Sequence, residues 1–334
     1  MSSAYVDEGP GLASLVCPKC RGTLSAAARQ LTCTSCQASG SVAADNAVDF
    51  IGGLTPLVEQ MARWSDEQTR TIEIASAGLF EKKPVSADEA GVLRQAQLLD
   101  ADGKLNELGR MVGYDSAELV WQSRYDPLES LFDASTLAQD ASVLDIGGGS
   151  GQTLRRLFPG RRGAVLDIVP VHIAFGSRIW RLHKLPIIGI CGSAEHLPCA
   201  DASVDFVICR GVIMYTDHQT AVNEVFRVLK KGCHAFFRVE SFWWDLNVMR
   251  QTRNPVTIAF GLRSLLVGKV LGATGVQPRL GRGWLFGPRA YVTPSRFRKM
   301  VHAAGGDVLR YESSTRGPQV GGHGTQDVVL CVKR

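Results

Sequence analysis

The chain is most constrained by Val143-Leu144-Asp145-Ile146-Gly147-Gly148-Gly149-Ser150-Gly151-Gln152. A short apolar run led by Val143, Leu144 and Ile146 reads as a buried strand. Glycines at 147, 149 and 151 then permit a tight turn and close approach of backbone to a ligand. Doubly wound α/β folds bind ligands at such a turn, beyond the carboxyl end of a parallel strand. The spacing is G-x-G-x-G. Gln152 stands where the dinucleotide pattern needs its last glycine, and no Gly-Lys-Ser/Thr follows, which excludes a P-loop.

From residue 141 onward, strand-like and helix-like segments alternate. Strands are expected at Val143–Ile146, Gly163–Asp167, Pro186–Cys191, Val204–Cys209 and Ala235–Val239. Helices are expected from Gln152 to Phe158, from Val171 to His183, and from about His218 to Lys230. Such alternation implies a parallel sheet with right-handed crossovers. Thr293-Pro294 reads as a helix start, with threonine as N-cap and proline at the first helical position. Two final strands are expected at Asp307–Glu312 and Asp327–Lys333.

The N-terminus carries a different signal. Cys17-Pro18-Lys19-Cys20 and Cys33-Thr34-Ser35-Cys36 are two C-x-x-C knuckles separated by twelve residues. Each knuckle aims two thiolates at one centre, and four soft ligands in a tetrahedron suit zinc. A segment this short has little core, so the metal would supply folding energy. Four cysteine ligands leave no open position, so this zinc is expected to be structural.

Residues between these parts read as helical. Positions 55 to 120 hold seven Lys/Arg against twelve Asp/Glu. Phosphate binding needs the opposite balance. The expected domains are therefore a zinc ribbon at 12–52, a helical linker, lid or dimerisation region at 53–137, and a large α/β domain at 138–334 with a basic insertion at about 245–290.

Several ordered motifs in that last domain give a resemblance. Leu144–Gly151 is followed by Ala194-Glu195-His196-Leu197-Pro198, then Asp201-Ala202-Ser203-Val204-Asp205-Phe206-Val207, then Glu224-Val225-Phe226-Arg227-Val228-Leu229-Lys230-Lys231-Gly232. Residues 141 to 240 thereby resemble the class I S-adenosylmethionine (SAM)-dependent methyltransferases of the ubiquinone/menaquinone type. The resemblance implies a Rossmann-like doubly wound sheet with an antiparallel last strand. It departs from the family at Ser193, where Asp is common, and at Cys233, where the family's second glycine is common. The cofactor implied is SAM. Its expected contacts are Asp145, Gly147, Gly149, Gly151, Asp167, Ser193, Ala194, Glu195 and Arg210, with Asp167 on the ribose hydroxyls. His218 and Tyr215, after the fourth strand, are the expected catalytic groups; Glu240, Trp243 and Trp244, after the fifth, are expected to line the acceptor site. Much of the rate can come from holding acceptor and methyl in line.

The acceptor is expected to be a small molecule or a lipid- or glycan-linked one. The ribbon resembles those of tRNA-methyltransferase activator proteins and of 23S rRNA guanine-N1 methyltransferases, so an RNA base stands as the alternative. A non-catalytic SAM-fold module that binds a partner protein is a third reading. Residues 245 to 299 carry ten Lys/Arg and one acid, Asp245, around an apolar centre. That pattern suits a solvated lid, a phosphorylated substrate or peripheral contact with an anionic membrane. No apolar run is expected to be long enough to cross a bilayer. Nine cysteines, five of them scattered, argue against a disulfide framework and for the cytoplasm. A homodimer is compatible with all of this.

Overall fold

The computed structural model describes residues 15–43, 47–125, 128–278, 289–313 and 319–334. Residues 12–14 and 44–46 of the expected ribbon, and Arg279 and Arg282 of the expected basic insertion, lie outside them. Contacts divide the chain into two compact units: one up to Arg124 plus Gln139–Ser193, the other Tyr125–Ala138 plus Ala194–Arg334.

The first unit begins with four short strands, β1 (Leu24–Ala27), β2 (Gln30–Cys33), β3 (Ser39–Ala43) and β4 (Ala47–Asp49), paired antiparallel in sequence order. Four helices follow: α1 (Leu54–Met61), α2 (Asp66–Phe80), α3 (Ala87–Gln95) and α4 (Glu107–Tyr125). Capping boxes start α2 and α3, where Ser65 and Ser86 accept from the backbone of Gln68 and Glu89, whose side chains return the bond. Then come β5 (Val143–Ile146), α5 (Gln152–Leu157), β6 (Gly163–Asp167), α6 (Pro170–Leu182) and β7 (Ile187–Cys191). β5, β6 and β7 are parallel, with β6 between the other two. All residues of β5 and β6 are buried, as expected of strands covered on both faces.

β4 also pairs parallel with β7, so the cysteine-rich ribbon continues into the edge of this sheet. Asp49 fixes the exit from β4. Its carboxylate accepts from the backbone of Ile51, Gly52 and Leu54 at 2.9, 2.7 and 3.0 Å.

The second unit holds β8 (Val204–Arg210), α7 (His218–Val228), β9 (Leu229–Glu240), α8 (Phe242–Gln251), α9 (Pro255–Thr274) and α10 (Pro294–Ala303). It ends with β10 (Gly306–Ser313), a small hairpin of β11 (Gln319–Val320) and β12 (His323–Gly324), and β13 (Gln326–Lys333). β8 and β9 are parallel. β13 runs antiparallel to β9 on one side and β10 on the other, which is the antiparallel last strand expected from the sequence. Phe237 meets Phe297 edge-on at 5.2 Å, and Phe132 stacks on Phe206 at 4.2 Å.

Three expectations are revised. α7 ends at Val228, because Leu229 is drawn into the core as the first residue of β9 and Lys230 pairs with Asp205 at 2.9 Å. The basic insertion contains two regular helices, α8 and α9. The expectation that no apolar run could cross a bilayer is corrected. α9 is an unbroken helix of 20 residues with mean hydropathy 1.5 over 18 of them, long and apolar enough by length and composition. Arg263 and Lys269 made the run look interrupted, yet two cations with long stems do not end such a helix.

Candidate cofactor cradle, polar cluster and cysteine centre

In the first unit the glycine turn follows β5. Gly147, Gly149 and Gly151 all adopt positive φ (66°, 57° and 77°), the left-handed region that side chains disfavour. Space excludes side chains as well. A Cβ on Gly149 would lie 2.5 Å from Asp115 Oδ1, and one on Gly151 would lie 2.7 Å from Trp180 Nε1. That indole donates to Ser150 O at 2.9 Å and holds the turn against α6. Asp145 is buried at the end of β5, packed against Gly148.

Asp167 ends β6 beside the turn. Its Oδ2 accepts from Gly149 N at 3.1 Å and its Oδ1 from Val169 N at 2.9 Å. Each carboxylate oxygen keeps acceptor capacity beyond one such bond, which suits a pair of ribose hydroxyls. His172, one turn into α6, places Nδ1 3.5 Å from Asp167 Oδ2. Burial lowers its pKa, but Asp115 and Asp167 outweigh that and raise it to about 9.

Sequence reasoning missed Asp115. It lies on α4, fully buried against the glycine turn, where Gln152 Nε2 donates to its Oδ1 and to its backbone carbonyl, each at 2.9 Å. Its Oδ2 is buried with no hydrogen-bond partner among the described residues. Burial pushes its carboxyl up to about 6, with His172 pulling the other way. A lone acid between buried Val112 and Ala117 was the available signal. Among the described residues, the first unit therefore offers an uncommitted buried acceptor, a backbone turn with room only for glycine, and a strand-end acid. That set fits the ammonium, main chain and ribose of an amino-acid nucleoside such as SAM. Ser193, the last residue of this unit, is half-buried.

The other sequence-selected residues sit in the second unit. Ala194 and Arg210 are buried. Glu195 accepts from Asp217 N at 2.7 Å and so ties down the loop after β8. His218 opens α7, wholly buried, and burial lowers its imidazole to about 4, so the ring is neutral at pH 7. Trp243 stacks flat on His323 at 4.3 Å, while Trp244 is half-buried.

Tyr215 and Glu240 belong to a polar cluster with two residues not selected from sequence, Asp245 and Arg289. Arg289 Nη2 donates to Asp245 Oδ1 at 3.1 Å and Nη1 to Tyr215 Oη at 3.2 Å. Ser264 Oγ donates to Asp245 Oδ2 at 2.7 Å. The guanidinium lies 4.5 Å from the centre of the Phe260 ring. Glu240, at the end of β9, is 5% exposed, and burial pushes it up to about 7 against Arg238 and Arg289. Among the described residues, Glu240 Oε2 and Arg289 Nε are buried without hydrogen-bond partners. The cluster thus offers one acceptor and one donor to a polar ligand. Arg289 could be read from sequence only as one of many basic residues.

In the ribbon, the sulfurs of Cys17, Cys20, Cys33 and Cys36 all lie within 4.8 Å of one another. Cys17 and Cys36 are 3.6 Å apart, Cys20 and Cys33 3.4 Å. A tetrahedral zinc with bonds of about 2.3 Å needs sulfurs roughly 3.8 Å apart. Each knuckle closes with a residue at positive φ, Arg21 at 62° and Gln37 at 58°. Cys33 accepts from the backbone of Ser35 and Cys36 at 3.4 and 3.5 Å, bonds that favour a thiolate.

Residues 144–237 match the model of the methyltransferase domain family. Over that stretch this chain is similar to methyltransferase domains. It is 26% identical over 205 residues to a mitochondrial 2-methoxy-6-polyprenyl-1,4-benzoquinol methylase of Leishmania donovani, covering 53% of this chain and 65% of that protein. It is 35% identical over 97 residues to a biotin biosynthesis bifunctional protein of Cellvibrio japonicus, covering 28% of this chain and 18% of that one. The chain thus spans less than two thirds of either curated relative. A solved SAM-dependent methyltransferase from Clostridium acetobutylicum is similar at 14% identity and a TM-score of 0.44, over 64% of this chain and 92% of that one.

Proposed function

We propose that the protein transfers a methyl group from SAM to a small or lipid-linked acceptor, with Glu240 taking the acceptor's proton. When bound, SAM supplies an electrophilic methyl on a sulfonium. Asp115 would hold its ammonium, the turn at 147–151 its amino-acid backbone, and Asp167 its ribose. The observation that carries the catalytic reading is the polar cluster. Glu240 Oε2 and Arg289 Nε are a buried acceptor and a buried donor with nothing to bond among the described residues. A group with a pKa about 7 is well placed to act as a base near neutrality. A hydroxyl bound at this cluster would give its proton to Glu240. Arg289, fixed by Asp245, would donate to the acceptor, and Tyr215 would position Arg289. His218 would support the fold of this region as a neutral buried ring. The cysteine centre would hold one structural zinc.

The test is incubation of the purified protein with methyl-labelled SAM and lysate from its own source, followed by fractionation. Label in the small-molecule or organic-extractable fraction is expected. RNase-sensitive label would replace that acceptor with RNA, and SAM binding without turnover in any fraction would leave a binding module.

A further inference from the structure

We propose that the outward face of α9 docks the protein on an anionic lipid bilayer, with the helix lying in the plane of the membrane surface. The inference stands on the second unit alone and does not depend on methyl transfer.

Two opposite faces of α9 are both apolar. Phe260, Gly261, Ser264, Val267, Gly268 and Leu271 are buried and fall on one side. This side is committed to the protein. A Cβ on Gly268 would lie 2.3 Å from the Tyr291 ring, and one on Gly261 would lie 2.6 Å from Met249, so the small residues seat the helix closely. Ser264 adds its hydrogen bond to buried Asp245. On the other side, at helical spacing, stand Ala259, Leu262, Leu266 and Ala273. Leu262 is 58% exposed and Leu266 61% exposed. A surface helix normally turns polar residues outward. Here the outward stripe carries one charge, Lys269.

The seated face argues against a helix that crosses the bilayer. Crossing would pull Ser264 from Asp245 and expose the packed glycine side. Lying flat keeps those contacts and buries only the outward stripe, the arrangement of an interfacial helix. Charge selects the occupant. Residues 246 to 278 contain Arg250, Arg253, Arg263 and Lys269 and no acid. Arg250 and Arg253 are exposed, as is Lys269 on the stripe. A second copy docked through the same face would set these cations against each other, because a two-fold interface repeats its own surface. Anionic headgroups complement them, and the leucines enter the acyl boundary.

The experiment is co-sedimentation of the full chain with vesicles of phosphatidylcholine alone and with one quarter phosphatidylglycerol, at low and at molar salt. We expect binding to the anionic vesicles at least about tenfold stronger than to neutral ones, lost at molar salt. Leu262→Glu/Leu266→Glu should lower it on the order of tenfold or more, because the charges enter an apolar boundary. The thermal melt should stay unchanged, since both leucines face outward. Lys269→Glu and Arg253→Glu should remove the preference for anionic lipid. Equal binding to both vesicle types, no binding, or retention in the leucine variant would overturn the proposal. So would a homodimer in light scattering that the leucine variant breaks, which would assign the face to a second copy.

Discussion

Replacing Asp115 by asparagine isolates the contribution of α4 to the cofactor cradle. The carboxylate is buried against the glycine turn, and its pKa stands at about 6 because burial disfavours the charge. A bound ammonium would favour the charged form, so SAM binding and Asp115 ionisation should be coupled. The sign follows. Below about pH 6 the group is protonated in the free protein, and binding must expel that proton. SAM affinity should therefore fall about tenfold per pH unit below 6 and level off above it. His172, raised to about 9, stays protonated across that range and adds no slope. The SAM α-amino group is itself mainly charged below about pH 7. Asparagine keeps an acceptor for Gln152 and removes only the charge. A hydrogen bond to a charged group contributes about 1.5–3 kcal/mol, so Kd should rise roughly ten- to 150-fold at pH 7. Isothermal titration of SAM from pH 5 to 8, with a thermal melt to check folding, reads both effects. If the folded variant binds SAM as the wild type does, or keeps the wild-type pH slope, Asp115 does not meet the ammonium and the cradle has been misread.

Glu240→Gln should lower kcat by about 10²–10⁴-fold with SAM binding unchanged, and should abolish a rate increase centred near pH 7, seen in pH–rate profiles. Metal analysis should find one zinc per chain. Cys33→Ser should lose that zinc and lower the melting temperature, because β4, which covers the β7 edge, is held by the ribbon. Gly151→Ala should destabilise the fold by about 2 kcal/mol or more in denaturant titration, from a φ of 77° and a Cβ 2.7 Å from Trp180 Nε1. A melt matching wild type would show that the turn relaxes at no cost.

The parallel strands and the glycine turn were legible because burial on both faces forces continuous apolar runs, and because positive φ at 147, 149 and 151 demands glycine. The cysteine centre was legible from spacing alone. Asp115 was not: its role depends on α4 lying against a turn that begins 32 positions later in the chain, and no local pattern encodes that pairing. Arg289 was hidden differently. Ten basic residues fill 245–299, and only packing singles out Arg289, which turns inward to Asp245. The helices in that segment were obscured by the same charges, and α9 in particular because its two apolar faces leave no single-sided periodicity.

The helical segment between the ribbon and β5 shows why local reading underrates connecting regions. Read from composition, it is an acidic linker. In the first unit it is bound to the α/β part at three buried points. Arg178 of α6 donates to Thr69 Oγ1 at 3.0 Å, to the Trp64 carbonyl at 2.6 Å and to Asp66 at 2.8 Å. Arg155 of α5 pairs with Glu73 at 2.6 Å, both largely buried. Gln152, the first residue of α5, bonds Asp115. A guanidinium taken from water is costly unless its donors are met. α2 and the turn before it supply acceptors to half-buried Arg155 and to Nε and Nη2 of buried Arg178, which offsets part of that cost. The acidic excess of 55–120, which argued against nucleic acid, is in part the counter-charge of the α/β helices. The segment packs Asp115 against the glycine turn, so the proposed cofactor cradle includes it.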